Sequence, residues 1–356
     1  MDNSVEERRF SLESRRYIGC KTKLVDWIFS LINEQTHDVH SFCDIFAGTG
    51  VVAHRALQTY ERVVVNDFLH SNNVMYRAFF APTEWDEGRV QTIIEEFNSV
   101  NPNKVRENYF SKNFGGKYFD VDTAKKVGYI REHLQKMKSD LTTKEYSILL
   151  ASLIYSIDRR ANTIGHFEAY IKRKIPNQSP FELRMIDVES YNGVEIHQED
   201  ANRLARTIDV DLTYLDPPYN SRQYSRFYHV YENLVQWKKP QLYGTALKPK
   251  EENMSDYCRN AAFSAFTDLV SHIKSRYLVV SYNNTYHSKS TSSENKIKLE
   301  QLEEVLNKCG KTQVFNHEFK AFNSGKTEFD DHREYLFITE VDDEKRNRSF
   351  PSVLRG

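Results

Sequence analysis

The tetrapeptide Asp216-Pro217-Pro218-Tyr219 is the strongest chemical signal in the sequence. It directly follows a predicted strand, Val210 to Leu215. Ligands of open α/β sheets bind at the carboxyl ends of strands, so reactive groups are expected at this position. Two consecutive prolines fix the backbone and remove two N–H donors, which leaves the carbonyl of Pro217 available to a ligand.

An exocyclic amine on a planar base has the complementary chemistry. The carboxylate of Asp216 and the carbonyl of Pro217 could each accept one of its N–H bonds. This arrangement would make the amine lone pair more nucleophilic, while Tyr219 offers a π face to the base. The alternative is a proline-rich turn with an N-capping Asp, but the position after a strand favours a functional site.

A second motif, Asp44-Ile45-Phe46-Ala47-Gly48-Thr49-Gly50, occupies a predicted strand-to-helix turn. Its glycines would let the backbone approach a ligand closely, although any tight turn can use glycine. The motif lacks the GxGxxG pattern, which disfavours a pyrophosphate-bearing dinucleotide. Asp67 follows Gly50 by 17 residues, at the end of the next predicted strand. There a carboxylate could accept hydrogen bonds from ribose hydroxyls or cap the following helix.

Two further segments are less distinctive when taken alone. Tyr17-Ile18-Gly19-Cys20-Lys21-Thr22-Lys23-Leu24 places an aromatic ring beside basic residues, which is typical of a solvated helix start. Asp200 ends another predicted strand and could accept a hydrogen bond from an adenine amino group. A helix-capping role is equally compatible with its position.

The elements around these motifs indicate an α/β fold. Strand, glycine turn, helix and strand follow one another from Ser41 to Asn66, which is the opening of a parallel sheet. Further strands are predicted at Val194 to Gln198, Val210 to Leu215, Tyr277 to Ser281 and Glu334 to Thr339. Residues 83–190 are mainly helical, with periodic segments at Lys125 to Lys138 and Thr143 to Arg160. We therefore expect a discontinuous catalytic domain (1–82 and 191–341), an inserted recognition region (83–190) and a charged tail (342–356).

Composition and charge narrow the class of protein. The chain has 356 residues, of which 39% are hydrophobic and 28% charged, so it can build a sizeable core. Its mean hydropathy of −0.66 and its short apolar runs predict no membrane span. Neither a secretory signal nor a CxxC pair is visible, so we expect a cytoplasmic protein with no metal and no disulfide framework.

Charge is unevenly distributed along the chain. The segment from Lys104 to Arg184 has 16 Lys and Arg against 9 Asp and Glu, a net charge of +7, whereas the remainder carries −8. A basic segment in a nearly neutral protein suggests a face that meets phosphate. The aromatic content of 13% also suits base stacking, although most of these rings will lie in the core.

The order and spacing of the motifs resemble the Dam-like DNA adenine-N6 methyltransferases, in which a cofactor motif, a recognition region and DPPY follow one another. The resemblance covers residues 17–80 and 194–285 and is most specific at 216–219. It implies a Rossmann-like, S-adenosylmethionine-dependent methyltransferase sheet with a mainly helical inserted DNA-recognition domain.

The resemblance also implies a role for each motif. Tyr17 and Lys21 would contact S-adenosylmethionine, Lys21 through the methionine carboxylate of the cofactor. Tyr17 stands where Trp is common in the family. The cofactor cleft would be lined by Asp44, Phe46, Gly48, Gly50 and Asp216, with Asp67 on the ribose and Asp200 on the adenine. Asp216 and Pro217 would hold the amine of the flipped target adenine, on which Tyr219 would stack.

The insert matches a target-recognition region in position and charge, but not residue by residue. Candidate DNA contacts, there and in the loop after DPPY, are Lys117, Arg159, Arg160, Asn162, His166, Lys172, Arg173, Arg222 and Tyr224. For the residues of the insert, the alternative to DNA contact is that they lie on a basic helix face that is merely solvated. Ser281-Tyr282-Asn283-Asn284 resembles the downstream active-site strand of the family.

The activity implied is direct methyl transfer to N6 of a flipped-out adenine in double-stranded DNA, without a metal or a covalent intermediate. The enzyme would serve a restriction-modification system, beside a separate cognate endonuclease, or act as a stand-alone methylase. The alternatives are an RNA adenine-N6 methyltransferase and a catalytically inactive nucleic-acid-binding protein on the same scaffold. A fused nuclease is disfavoured, because its short signature at Glu318-Phe319-Lys320 lies in an alternating stretch, Gln313 to Phe319, that is better explained as a sheet strand.

Overall fold

The computed structural model describes residues 9–172, 175, 180–285, 294–318 and 332–346. Within these residues, seven strands form one sheet. They are β1 Ser41–Asp44, β2 Arg62–Asn66, β3 Val194–His197, β4 Leu212–Leu215, β5 Tyr277–Asn283, β6 Gly310–Glu318 and β7 Arg333–Val341.

The sheet is open and mostly parallel, with the strand order β3-β2-β1-β4-β5-β7-β6. The first five strands in this order run parallel, whereas β7 is antiparallel to both β5 and β6. The strand order reverses between β1 and β4, and open α/β sheets bind ligands at such a switch point. The predicted motifs at Asp44 and Asp216 follow these two neighbouring strands, so the topology brings them together.

Helices cover both faces of the sheet. They are α1 Val25–Gln35, α2 Val51–Leu57, α3 His70–Phe79, α4 Glu87–Ser99, α5 Tyr109–Phe114, α6 Val121–Lys136, α7 Thr143–Asp158, α8 Ala201–Leu204, α9 Tyr224–Phe227, α10 His229–Gln236, α11 Ala262–His272, α12 Leu299–Asn307 and α13 Asp343–Arg346. Alternate strand residues enter different cores: Phe42 and Val63 face one core, and Cys43 and Val64 the other. The α/β, Rossmann-like fold predicted from the sequence is confirmed.

The predicted helical insert contains α4 to α7, and its centre is α7. This helix begins with a capping box, in which Thr142 and Glu145 bond each other's backbone N–H. From Lys144 to Asp158 every residue except Tyr146 is buried, partly because α7 packs on α3. The apolar core of the insert is therefore continuous with one core of the sheet. The proposed boundaries at 83, 190 and 341 stay predictions.

Element ends differ from the sequence patterns for identifiable reasons. Helix α6 begins at Val121, ahead of the apolar pattern at Lys125, because the side chain of Asp120 caps the backbone N–H of Thr123 at 2.8 Å. The strand predicted from Gln313 is β6, which ends at Glu318 within the described residues. Phe319 and Lys320 lie outside the described residues.

Candidate active site

The turn after β1 is closely packed around two glycines with left-handed backbone. Gly48 has φ +53° and Gly50 has φ +84°, a region that glycine adopts without steric cost. A Cβ at Gly50 would lie 3.1 Å from a ring carbon of Tyr76. The hydroxyl of Tyr76 donates to the carbonyl of Gly48 at 2.8 Å. The glycines therefore allow the turn to close over α3 beside the end of β1.

Two carboxylates flank this turn, and they differ in their partners. Asp44 is 1% exposed, and neither of its oxygens has a hydrogen-bond partner among the described residues. Burial, together with the charges of Asp216 and Asp67, raises the pKa of Asp44 well above its usual range. Asp67 accepts from the backbone N–H of Gly48 at 3.0 Å and of Leu69 at 2.8 Å. Burial raises the pKa of Asp67 to about 6, while these hydrogen bonds act in the opposite direction.

At the end of β4, the carboxylate of Asp216 lies in a cluster of polar groups. Its Oδ1 accepts from the hydroxyl of Tyr219 at 2.5 Å and lies 3.1 Å from Nζ of Lys21. Burial raises the pKa of Asp216 to about 6, even though the ammonium of Lys21 acts to lower it. The Tyr219 ring meets Tyr282 of β5 edge-on, with the ring centroids 5.2 Å apart.

The ammonium of Lys21 is bound on a second side by Glu334 of β7. The Nζ–Oε1 distance is 2.7 Å, and the two side chains are only 6% and 3% exposed. Ser281 also donates to Oε1 of Glu334, at 2.6 Å. Burial lowers the pKa of Lys21, but Asp216 and Glu334 outweigh it and the net pKa is raised. Lys21 is therefore a buried cation that links two carboxylates.

Tyr17 begins a stack of aromatic rings. Its ring lies parallel to that of Tyr228, at a centroid distance of 4.6 Å, and 5.5 Å from that of Tyr224. The hydroxyl of Tyr17 accepts from the side-chain amide of Asn72 at 3.3 Å. The stack fixes the N-terminal segment against α9 and α10, so that Lys21 can reach Asp216.

A single cleft, with an empty volume of about 970 Å³ that includes its open mouth, joins these groups. Its lining contains most of the predicted catalytic and cofactor residues: Tyr17, Lys21, Asp44, Phe46, Gly48, Asp67, Asp200, Asp216, Pro217, Pro218 and Tyr219. Gly50 lies behind the cleft wall, where it packs on Tyr76. Asp200 stands at the exposed rim and also caps α8, accepting from the backbone N–H of Arg203 at 3.2 Å. Both interpretations of Asp200 are therefore compatible with its place.

Several lining residues carry no signal in the sequence. Tyr257 meets Phe46 edge-on, with ring centroids 5.0 Å apart, and donates to the side chain of Asn202 at 2.7 Å. Asn253 and Ser255 complete this part of the wall. They come from the long irregular segment between α10 and α11, where neither periodicity nor spacing indicates a site.

The candidate DNA contacts are scattered, and several make internal hydrogen bonds. The buried side-chain amide of Asn162 donates to the carbonyls of Lys117 and Ile171 at 3.2 and 2.9 Å. The buried ring of His166 stacks on Phe227, and burial lowers its pKa. These two side chains hold the backbone of the insert in place.

The other candidates lie nearer the surface. Lys117 donates to the carbonyl of Thr245 at 3.0 Å, and Arg160 donates to that of Pro180 at 3.0 Å. Arg159 and Lys172 are exposed, and Arg222 is half-buried. Tyr224 lines the cleft beside Tyr17, whereas Arg222 does not. Arg173 lies outside the described residues.

Metal-binding clusters and membrane-spanning helices are both absent from the described ranges. No group of three or more His, Cys, Asp and Glu side chains is arranged there to hold a metal ion. None of the helices given above is long and apolar enough to cross a membrane.

Known proteins are similar to this chain over most of its length. The sequence model of the D12 class N6 adenine-specific DNA methyltransferases matches residues 17–279. The chain is 31% identical over 341 residues to the type II methyltransferase M.CviAII of Paramecium bursaria Chlorella virus 1, covering 92% of this chain and 98% of that protein.

Two further relatives are similar. The type II methyltransferase M.NlaIII of Neisseria lactamica is 29% identical, over 91% of this chain and 98% of that protein. The type II methyltransferase M.FokI of Planomicrobium okeanokoites is 29% identical over 92% of this chain, which spans 53% of that longer protein. The Dam-like resemblance is thereby confirmed, and the chain belongs to the D12 class of N6 adenine-specific DNA methyltransferases.

Proposed function

We propose that the cleft binds S-adenosylmethionine beside a flipped-out adenine and that residues 216–219 direct the transfer of its methyl group to N6. The observation that carries this proposal is that the DPPY residues and the glycine turn line one cleft. The cofactor supplies an electrophilic methyl carbon on a sulfonium centre, so the main task of the protein is alignment.

The residues at the β1 end of the cleft suit this cofactor. The buried carboxylate of Asp44 has two unpaired oxygens and can accept hydrogen bonds from a cationic amino group. The oxygens of Asp67 are fixed by two backbone N–H groups and retain lone pairs for ribose hydroxyls. Phe46 and Tyr257 offer aromatic surface at the cleft wall for the adenine ring, with Asp200 at the rim.

The target amine fits at Asp216. Both Tyr219 and Lys21 contact Oδ1, which leaves Oδ2 to accept one N–H of the amine. The carbonyl of Pro217 accepts the other N–H, so the lone pair of N6 is directed out of the ring plane. As the new bond forms, positive charge develops on N6 and the carboxylate of Asp216 stabilises it. The ring of Tyr219 stacks on the base.

Lys21 acts on Asp216 in this proposal. Its ammonium already has two carboxylate partners within 3.1 Å, and these contacts favour a role at the catalytic carboxylate over a salt bridge to the cofactor. A cation beside Asp216 keeps the carboxylate ionised despite burial.

Double-stranded DNA is held from outside the cleft. N6 is engaged inside the duplex, so the adenine must leave the stack before it reaches Asp216. Exposed basic residues of the insert, such as Arg159 and Lys172, supply phosphate contacts that offset the cost of flipping. Because the relatives described above are type II methyltransferases, we propose that the enzyme protects target sites in a restriction-modification system.

The direct test is transfer of tritium from labelled S-adenosylmethionine to unmethylated duplex DNA of mixed sequence, followed by digestion to nucleosides. We expect the label in N6-methyladenine, with wild-type protein and not with Asp216→Ala. Label in N4-methylcytosine, or label in RNA and not in DNA, would contradict the proposal.

A further inference from the structure

Glu334, near the start of β7, has a buried carboxylate to which the steps above assign no role. Its side chain is 3% exposed, and it lies outside the segment that the family model matches. Oε1 accepts from Lys21 at 2.7 Å and from Ser281 at 2.6 Å. Because β7 pairs with β5 in a fixed register, with Glu334 opposite Asn283, the position of this carboxylate is set by the sheet.

Lys21, by contrast, lies in an irregular turn between Gly19 and α1. A long side chain on such a segment has many rotamers, so its place depends on the groups that bind its ammonium. Glu334 binds it from the sheet, and the same Nζ lies 3.1 Å from Oδ1 of Asp216. Lys21 thus connects a carboxylate fixed by the strands to the proposed catalytic carboxylate.

The charge of Glu334 alone is unfavourable for Asp216. Two buried carboxylates repel each other, and Glu334 acts to raise the pKa of Asp216, whereas Lys21 lowers it. Any benefit of Glu334 to catalysis must therefore act through Lys21, whose ammonium it binds at 2.7 Å and helps to keep protonated. A buried ion pair is also a weak source of stability, because desolvation offsets the Coulomb attraction.

We propose, building on the methyl transfer described above, that Glu334 is a positioning residue that holds the ammonium of Lys21 at Oδ1 of Asp216. Held there, Lys21 occupies one oxygen of Asp216 and leaves Oδ2 directed at the adenine amine. Glu334 touches neither the cofactor nor the base, and it acts on the reaction only through Lys21.

The test is a double-mutant cycle on the full chain, with Glu334→Gln, Lys21→Met and the double variant. Single-turnover methyl transfer is measured at saturating S-adenosylmethionine, on a duplex that carries the target site mapped with wild-type enzyme. Glu334→Asp tests rescue, because it keeps the charge. Glu340→Gln is the matched control, because Glu340 is on the same strand but is 58% exposed and faces Arg276.

Misplacing a catalytic contact by about 1 Å can cost up to about 100-fold, so we expect Glu334→Gln to slow transfer about tenfold. The dissociation constant for S-adenosylmethionine should stay within about twofold, and Glu334→Asp should recover part of the rate. In the Lys21→Met background, the Glu334→Gln change should alter the rate less than about twofold.

Two results would overturn the proposal. One is a wild-type rate in Glu334→Gln, which together with a lower melting temperature would make Glu334 a purely structural residue. The other is a loss of rate that is equal in size with and without Lys21. Wild-type protein that transfers no methyl to any DNA would instead refute the proposed function.

Discussion

Charged residues at the strand ends and charged residues of the inserted helices have different surroundings in this protein. At the strand ends, Asp44, Asp67 and Asp216 converge on one cleft. In the insert, Lys126, Arg131 and Lys144 are buried and donate to main-chain carbonyls, so they do not reach a ligand. Charged side chains thus form a binding site in one region and give internal support in the other.

The difference has a topological cause. A residue after a parallel strand lies at one edge of the sheet, whichever residues surround it, so its neighbours follow from strand order. A basic residue on a helix can face solvent or another element, and packing decides which. The net charge of +7 in the segment from Lys104 to Arg184 therefore overstates the positive surface that DNA can meet.

The largest effect should come from the cleft. Replacing Asp216 by Ala removes the acceptor of the amine and the charge that stabilises the transition state, so we expect single-turnover transfer to fall about 1,000-fold. Binding of S-adenosylmethionine, measured by calorimetry, should change less than about threefold. Asp209→Ala, before the amino end of β4, is the control and should keep the wild-type rate. A mutant rate within about tenfold of wild type would refute the role of Asp216.

In the insert, the expected effect is on stability. Arg131 is 1% exposed and donates to the carbonyl of Leu234 at 2.6 Å and to that of Val235 at 3.2 Å, at the end of α10. Arg131→Met leaves these carbonyls unpaired and should lower the free energy of unfolding by about 2 kcal/mol in urea titrations. Lys136→Met, on the exposed side of α6, should change it by less than about 0.5 kcal/mol. If instead Arg131→Met weakens DNA binding and leaves the free energy of unfolding unchanged, Arg131 contacts DNA and does not serve as internal support.

The cleft should also impose a pH dependence. Burial raises the pKa of Asp216 to about 6, and the ionised form is the one that accepts the amine N–H. The value of kcat/KM for DNA should therefore be half its maximum near pH 6. Below that, it should fall about tenfold for each pH unit. Because the pKa of Asp67 is also raised to about 6, the profile is measured with saturating cofactor. A profile that stays flat down to pH 4.5 would show that the ionisation of Asp216 is not required.

The smallest effect should come from single exposed cations of the insert. Lys172→Ala removes one phosphate contact and should weaken DNA binding about threefold, with the salt slope of log K reduced by about 0.9. Lys308→Ala, at the residue directly after α12 on the opposite face of the sheet, should leave the affinity and the salt slope unchanged. An unchanged salt slope in Lys172→Ala would show that Lys172 does not contact a DNA phosphate.

Much of the cleft could be predicted because its residues lie in short motifs tied to strand ends. The strands predicted to begin at Ser41, Arg62 and Val194 begin at those residues in the structure. The three carboxylates at strand ends, Asp44, Asp67 and Asp216, all line the cleft. Glu334 could not be found in this way, because it lies 313 residues from Lys21 and meets it only when β7 pairs with β5. The burial of Asn162 and His166, two of the candidate DNA contacts, could not be predicted, because hydrogen bonds within an irregular segment have no periodicity to reveal them.

Hydrogen exchange with and without S-adenosylmethionine tests most directly that the strand ends form the ligand site. We predict slower amide exchange at residues 44–50 and 65–69, where the backbone turns line the cleft, and no change in α6. Protection confined to the insert, with unchanged exchange in both turns at saturating cofactor, would contradict it.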